Sequence, residues 1–289
     1  MICFIVNSIA GKGKALRIIE RIAGRLSREK VPHDIRYTAY PGHATTLTRE
    51  AISDGYTTIV AVGGDGSVGE VATGLRETGA ALGVIPGGSG NDYCRALGIP
   101  ADPMRALDIV LAGRRRMADA LSVNDRLFMN IANIGFGNAV AIQAERFKKL
   151  GRFAYLFAVF FTVSRFRGVP VRFTLDGQQF EQPILLMDIG CGTHLGGGMN
   201  ALPCADPFDG MLDVCFVDNV SPSTIIRLLP LYMSGRHGKL PIAHFHRCRS
   251  VTLEYPEGPV TVGADGERVA ETGRTQVTIL PAAVPVIVP

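Results

Sequence analysis

The chain has 289 residues, 47% of them hydrophobic, and a formal net charge of +4 at pH 7. That is enough apolar material for a large core in one or two domains. Six cysteines, Cys3, Cys94, Cys191, Cys204, Cys215 and Cys248, form no C-x-x-C pair and no tight framework, which suits a reducing cytosol better than a disulfide scaffold. The modest charge comes with no RNA- or DNA-binding signature, so nucleic acid is not an expected partner.

In chain order, Met1–Asn7 lacks a basic n-region and carries only a short apolar run, so it reads as a strand and not a signal peptide. The loop Asn7-Ser8-Ile9-Ala10-Gly11-Lys12-Gly13-Lys14 follows; it lacks the Walker A spacing. A helix is expected over 15–29, a strand over 35–38, a helix over 44–53 and a strand over 58–62. Then comes Val62-Gly63-Gly64-Asp65-Gly66-Ser67, with a helix over 68–76. Three glycines within four residues let the backbone turn sharply and approach a ligand. The helix that follows turns its unpaired N–H groups and positive dipole end toward the turn, which is the geometry of a phosphate cradle. Asp65 would repel phosphate there unless Mg²⁺ lies between them or its carboxylate anchors glycine N–H groups. A plain strand-to-helix turn with an Asp cap is the alternative. A strand over 82–85, the loop Pro86-Gly87-Gly88-Ser89-Gly90-Asn91-Asp92 and a helix from Tyr93 repeat the logic, and a helix over 103–111 follows. Strand–helix alternation of this kind predicts a parallel sheet covered on both faces, with its loops converging at the carboxyl ends of the strands.

Beyond about residue 120 the texture becomes β-rich. Asp176-Gly177 marks a hairpin, and strands are expected over 184–189, 212–217, 249–255, 260–262 and 276–280, with helical stretches over 139–166 and 222–234. The fold class is therefore α/β, with a Rossmann-like first lobe and a mainly antiparallel β second lobe. Residues 151–166 are apolar and aromatic, flanked by Arg146, Lys148, Lys149, Arg152, Arg165 and Arg167. This stretch is too short to span a bilayer. It reads either as a helix packed on the β domain or as one whose rings and cations touch an anionic membrane surface. His244-Phe245-His246 merely share a strand, and no third metal ligand accompanies them.

With these residues in view, the chain resembles the soluble bacterial diacylglycerol-kinase-like lipid kinases, relatives of eukaryotic diacylglycerol and sphingosine kinases and, more distantly, of NAD kinases. Six elements carry the likeness in order: Asn7–Lys12, Gly63–Ser67, Pro86–Asp92, Gly196-Gly197-Gly198-Met199, Asp209-Gly210-Met211-Leu212-Asp213 and Asp265-Gly266-Glu267. The closing residues 280–289 are also typical of the family's end.

The resemblance implies an ATP-binding lobe over residues 1–120, a β-sandwich lobe over 121–280, a tail over 281–289 that returns to the first lobe, and an active site in the cleft between them. ATP and Mg²⁺ are the implied cofactors. Asn7, Ser8, Gly11, Lys12, Thr38, Gly63, Gly64, Asp65, Gly66, Ser67, Glu70, Gly88, Ser89, Asn91 and Asp92 would serve the nucleotide, with Asp65 near Mg²⁺. Glu267 would accept the proton of the substrate hydroxyl, assisted by Asp265; read without the family, Asp265-Gly266 is simply a hairpin turn. Asp209 would bind a structural Mg²⁺ with the carbonyls of Asp206 and Met211. Ser8 stands for the usual proline, Ser67 and Ser89 for threonines, and Gly69 and Cys191 for asparagines.

The implied activity is ATP-dependent phosphorylation of a lipid alcohol, diacylglycerol or similar, by a cytoplasmic protein peripherally attached to the membrane. A NAD-kinase-like enzyme with a soluble acceptor and a non-catalytic lipid- or nucleotide-binding regulator stay open. So does a homodimer.

Overall fold

The computed structural model describes residues 1–147 and 154–289. Four parallel strands build the first lobe: β1 (Ile2–Val6), β2 (His33–Tyr37), β3 (Thr58–Gly63) and β4 (Ala81–Pro86), in the order β2-β1-β3-β4. β3 and β4 are buried along their whole length, because helices cover both faces. Their sequences therefore read as continuous apolar runs without alternation. β2 is the polar edge. Helix α1 (Lys14–Arg28) turns Ile18, Ile19, Ile22 and Leu26 into the core at helical spacing. α2 (His43–Ser53), α3 (Asp65–Leu75), the short α4 (Asp92–Ala96) and α5 (Pro103–Ala112) complete the lobe. The helix expected from Val68 begins three residues earlier, so Asp65 lies in its first turn and not in a preceding loop. β1 and β3 are neighbours whose connections leave the sheet in opposite directions, and such a switch point opens a crevice at the strand ends.

β5 (Arg115–Val123), β6 (Arg126–Phe128) and β7 (Ile131–Gly135) lead into the second lobe. β8 (Val169–Leu175) and β9 (Gln178–Gly190) form the hairpin expected at Asp176-Gly177, whose positive φ angles of 43° and 95° fit a two-residue primed turn. β10 (Leu212–Asp218), β11 (Ala243–Cys248), β12 (Ser250–Glu254), β13 (Val260–Ala264) and β14 (Glu267–Thr272) follow, nearly all paired antiparallel. One apolar cluster fills the space between the sandwich faces. A second lies under α6 (Phe136–Arg146), α7 (Ala154–Val163) and α8 (Pro222–Met233).

Two expectations need correction. Residues 139–166 are not one helix: α6 and α7 pack against each other, with Phe147 meeting Phe157 and Phe161. Lys148, Lys149, Gly151, Arg152 and Phe153 of that stretch lie outside the described residues. The last strand also does not stop at Leu280. β15 (Arg274–Ile287) continues past Pro281, which falls in a register shift between Leu280 and Val284, and through Pro285, which lies opposite Met117 of β5. It pairs with β12 in the second lobe, runs antiparallel to β5 between the lobes, and ends parallel to β4 at Val286↔Leu82. Among the described residues no helix is long and apolar enough to cross a membrane.

Candidate active site

Three loops meet at the switch point. Asn7 follows β1; its N–H donates to the Val62 carbonyl (3.1 Å) and its amide to the Ser67 hydroxyl (3.2 Å). The Gly63 carbonyl accepts from the N–H groups of Gly87 (2.8 Å) and Gly88 (3.0 Å). The backbones approach so closely that a Cβ on Gly88 would collide with the Gly64 Cα, and one on Gly11 with the Gly87 carbonyl. Asn91, left-handed at φ 54°, clasps its own loop through both amide atoms to Gly88. No side chain caps α3, so its first-turn N–H groups are left for a ligand.

The resulting cavity holds about 400 Å³ and is lined by Asn7, Ser8, Gly11, Thr38, Gly64, Gly66, Ser67, Glu70, Gly88, Ser89 and Glu267. Residues 39–41 join this wall, unmarked by any motif. Not every expected residue faces it. Lys12 is exposed outside the lining, and buried Gly63 serves the loop backbone. The Glu70 carboxylate accepts from Gly42 N–H (2.8 Å) and Ala44 N–H (3.0 Å), so it holds the start of α2. Asp65 neither caps α3 nor holds a glycine N–H; its Oδ1 accepts from Tyr93 N–H at 2.9 Å and ties the two phosphate-type loops together. Open space surrounds Gly69, so an asparagine amide would fit there but none is present.

Carboxylates of the second lobe close the crevice. The β13–β14 hairpin turns at Asp265 (φ 49°) and Gly266 (φ 83°), pairing Ala264 with Glu267. The Asp265 carboxylate accepts three backbone N–H bonds, from Met129 (2.7 Å), Asn130 (3.1 Å) and Ile131 (3.0 Å). Burial pushes this carboxylate up to about 7; the Met129 and Ile131 N–H groups pull against that, and Asp65 adds to it. Its lone pairs are committed to the turn, so it fixes the hairpin that presents Glu267. The Glu267 side chain is 47% exposed and reaches over the start of α3: a Cβ on Gly66 would sit 3.2 Å from its Oε1. Arg126, which no motif marks, lies 3.7 Å from its Oε2.

Asp92 joins the lobes. Its Oδ2 accepts from Gly197 N–H (2.7 Å), in the triple-glycine turn, and its Oδ1 from Arg95 (2.8 Å). Burial raises its pKa, with the Gly197 N–H opposing.

The proposed structural-metal residues lie near one another on the second lobe. Asp206 Oδ1 accepts from Phe208 N–H and Asp209 Oδ1 from Met211 N–H, while Arg247 pairs with Asp209 Oδ2 and stands 3.9 Å from Asp213. Asp213 Oδ2 is buried without a hydrogen-bond partner, the kind of orphaned oxygen a cation would satisfy. The donors are hard oxygens and fit Mg²⁺, but only with the Arg247 guanidinium moved aside. Among the described residues, no group of three or more acidic, histidine or cysteine side chains is arranged as a ready metal cage. Asp119, also unmarked by the sequence, accepts from Gly210 N–H (2.7 Å) and Ala282 N–H (2.8 Å), binding this loop to β15.

Comparison with known proteins agrees with this fold. Residues 1–123 match the family described as diacylglycerol kinase catalytic domain, and residues 130–288 match the YegS C-terminal NAD kinase beta sandwich-like domain. The diacylglycerol kinase of Mycobacterium tuberculosis (strain H37Rv) is 30% identical over 99% of this chain and 94% of its own length. A probable lipid kinase, YegS-like, of Pseudomonas aeruginosa PAO1 is 36% identical over 88% and 84%. A crystal structure of a Bacillus anthracis Sterne protein, provisionally titled a diacylglycerol kinase, superposes with a TM-score of 0.81 at 29% identity, covering 100% of this chain and 97% of its own. The fold and these matches together define a kinase of two lobes, a doubly wound lobe facing a β-sandwich. The chain belongs to the diacylglycerol kinase-like lipid kinase family.

Proposed function

We propose that this protein transfers the γ-phosphoryl group of ATP to the hydroxyl of a lipid alcohol, diacylglycerol or a similar one, at the inner membrane surface. One observation carries the reading: Glu267 of the second lobe reaches over the uncapped N-terminus of α3 in the first. Phosphoryl transfer needs positioning, charge stabilisation and a group to receive the hydroxyl proton. The first-turn N–H groups of α3 bind phosphate oxygens, and Ser67 and Ser89 add hydroxyl donors. Glu267 takes the acceptor's proton. Mg²⁺ held near Asp65 would supply neutralisation of phosphate charge.

The acceptor side is supported by α7, whose Phe157 and Phe160 are more than half exposed, with the Arg165 guanidinium over the Phe161 ring at 4.0 Å. Exposed rings on a helix with a cation just past its end suit the surface of an anionic bilayer. Labelled ATP offered with a panel of lipid alcohols in mixed micelles, and with NAD as a soluble acceptor, tests the reading. Label is expected in a lipid. Label in NAD alone, or in no acceptor, would overturn it.

A further inference from the structure

The nucleotide cavity is short of positive charge. Among the described residues that line it there is no lysine or arginine, while Glu70 and Glu267 stand in its wall. A nucleoside triphosphate adds further negative charge, and during transfer that charge spreads over the oxygens of the moving group. Enzymes of this chemistry complete the site with a positioned lysine or arginine. Beyond Glu267 the crevice continues into a second compartment of about 550 Å³, which shares Gly66, Glu70 and Glu267 with the first. Two cations line this compartment, Arg76 and Arg126. Arg76 caps the far end of α3, about 16 Å from Asp65, and pairs with Glu77 at 3.4 Å. Arg126 stands at the near end, beside Glu267.

The fold aims Arg126 there. Asn124 and Asp125, both left-handed at φ 46° and 66°, make the two-residue turn between β5 and β6. Asn124 is tied to Gln276 of β15 twice: its N–H donates to the Gln276 carbonyl (3.0 Å), and its side-chain oxygen accepts from the Gln276 N–H (2.9 Å). On the short strand that follows, Arg126 and Phe128 share a face, and the guanidinium lies over the Phe128 ring at 5.3 Å. Its side chain is 55% exposed, and an exposed ion pair such as the one with Glu267 holds weakly. A guanidinium on a phosphate, with two parallel hydrogen bonds, holds more strongly. Nothing crowds the way: Gly66 and Gly69 line the same compartment, and a Cβ on Gly69 would meet nothing within 4 Å.

We propose that Arg126 is a catalytic residue that exchanges one anion for another. In the empty crevice its guanidinium rests on Glu267. With nucleotide bound it turns to the oxygens of the γ-phosphoryl group, and Glu267 is released to meet the acceptor. This rests on the kinase reading above. In the step itself, the acceptor oxygen bonds to the γ-phosphorus as the bond from that phosphorus to the bridging oxygen breaks. The electron pair of the broken bond leaves on ADP, and the hydroxyl proton passes to Glu267. Arg126 donates hydrogen bonds to the phosphoryl oxygens and stays protonated throughout.

In turnover, Arg126→Gln should lower kcat by about 10²- to 10³-fold with both KM values little changed, because the contact forms fully only during transfer. Arg126→Lys should recover part of the loss, since an ammonium keeps the charge without the fork. Arg76→Gln, in the same compartment but at the far end of α3, should turn over like the parent.

A binding measurement separates contact with the phosphoryl group from mere support of Glu267. ADP with aluminium fluoride and Mg²⁺, a mimic of the group in transfer, is titrated by calorimetry without lipid. Arg126→Gln should weaken that complex about 100-fold and leave ADP alone unaffected. The same loss should appear in a Glu267→Gln background, where Arg126 has no carboxylate to hold. A parental kcat in Arg126→Gln, or a binding loss missing from either background, would overturn the proposal. A parent that binds no ADP would overturn the kinase reading and the proposal with it. A parent that holds the mimic through Arg126 but labels no lipid would support the phosphoryl contact and overturn the lipid acceptor.

Discussion

Glu267→Gln keeps the size of the side chain and most of its hydrogen bonding but removes its capacity to take a proton. The effect on folding follows from its surroundings. The side chain is 47% exposed, its nearest cation is Arg126 at 3.7 Å, and exposed pairs of that kind contribute about 0–1 kcal/mol. The melting temperature should therefore stay within about 4 °C of the parent. The effect on chemistry is of another order. A positioned base contributes typically 10²- to 10⁴-fold, or about 3–5 kcal/mol of barrier. Turnover measured by phosphate-label transfer at saturating lipid and ATP should fall by a factor in that range. Nucleotide affinity, measured by calorimetry, should be nearly unchanged, because most of the nucleotide cavity is built by the first lobe. Loss of ATP binding with kcat preserved would show that Glu267 is a nucleotide or metal ligand, and the reasoning would fail.

Asp65→Asn can still accept from Tyr93 N–H through its amide oxygen, so the fold should hold while turnover drops about 10²-fold or more; a parental rate would reduce the loop to a structural turn. Gly88→Ala forces a Cβ into the Gly64 backbone and should lower stability by about 1–3 kcal/mol along with nucleotide affinity, read from the urea midpoint at constant m; an unmoved midpoint refutes the packing. If Asp209 holds Mg²⁺, added Mg²⁺ should raise the melting temperature of the parent but not of Asp209→Ala, and equal responses would exclude it. Buried Asp188 of β9, which accepts from the Tyr232 hydroxyl, holds its proton to about pH 7 when folded but only to about 4 when unfolded, so the stability it contributes is full below pH 4 and is lost as pH rises toward 7. Asp188→Asn should flatten the stability curve over that window by up to about 1.4 kcal/mol per pH unit, and parallel curves would refute the assignment.

Much of the first lobe could be read directly because its physics is local. β3 and β4 are buried on both faces and so carry unbroken apolar runs. α5 announces itself through Asp102 accepting from Met104 and Arg105, Pro103 in its first turn, and left-handed Gly113 at its end. The phosphate-type loops declared themselves by glycine. What stayed hidden depends on distant partners. β5 begins with exposed Arg115 and Arg116 and only later turns inward, so its first half resembles a loop. β15 contains two prolines, which ordinarily argue against a strand. The division of labour among the carboxylates was equally hidden, because Asp265, Glu70 and Asp92 are committed to backbone groups 26 to 136 residues away. Asp188 did leave a trace, an acid within an apolar strand run, and that trace went unread.

β15 also governs the order in which the protein can be made. The first lobe is synthesised before the second, yet the neighbour of β4 at Leu82 is Val286, which emerges only after the entire second lobe. Until then the β4 edge has unpaired backbone groups along it, a surface that invites pairing with other chains. Contacts so far apart in sequence form slowly, and chains in that condition rely on protection from aggregation. A nascent chain stalled before residue 284 would thus hold a nearly complete nucleotide lobe with an open edge, and the closing strand would arrive as the last step of folding for both lobes at once.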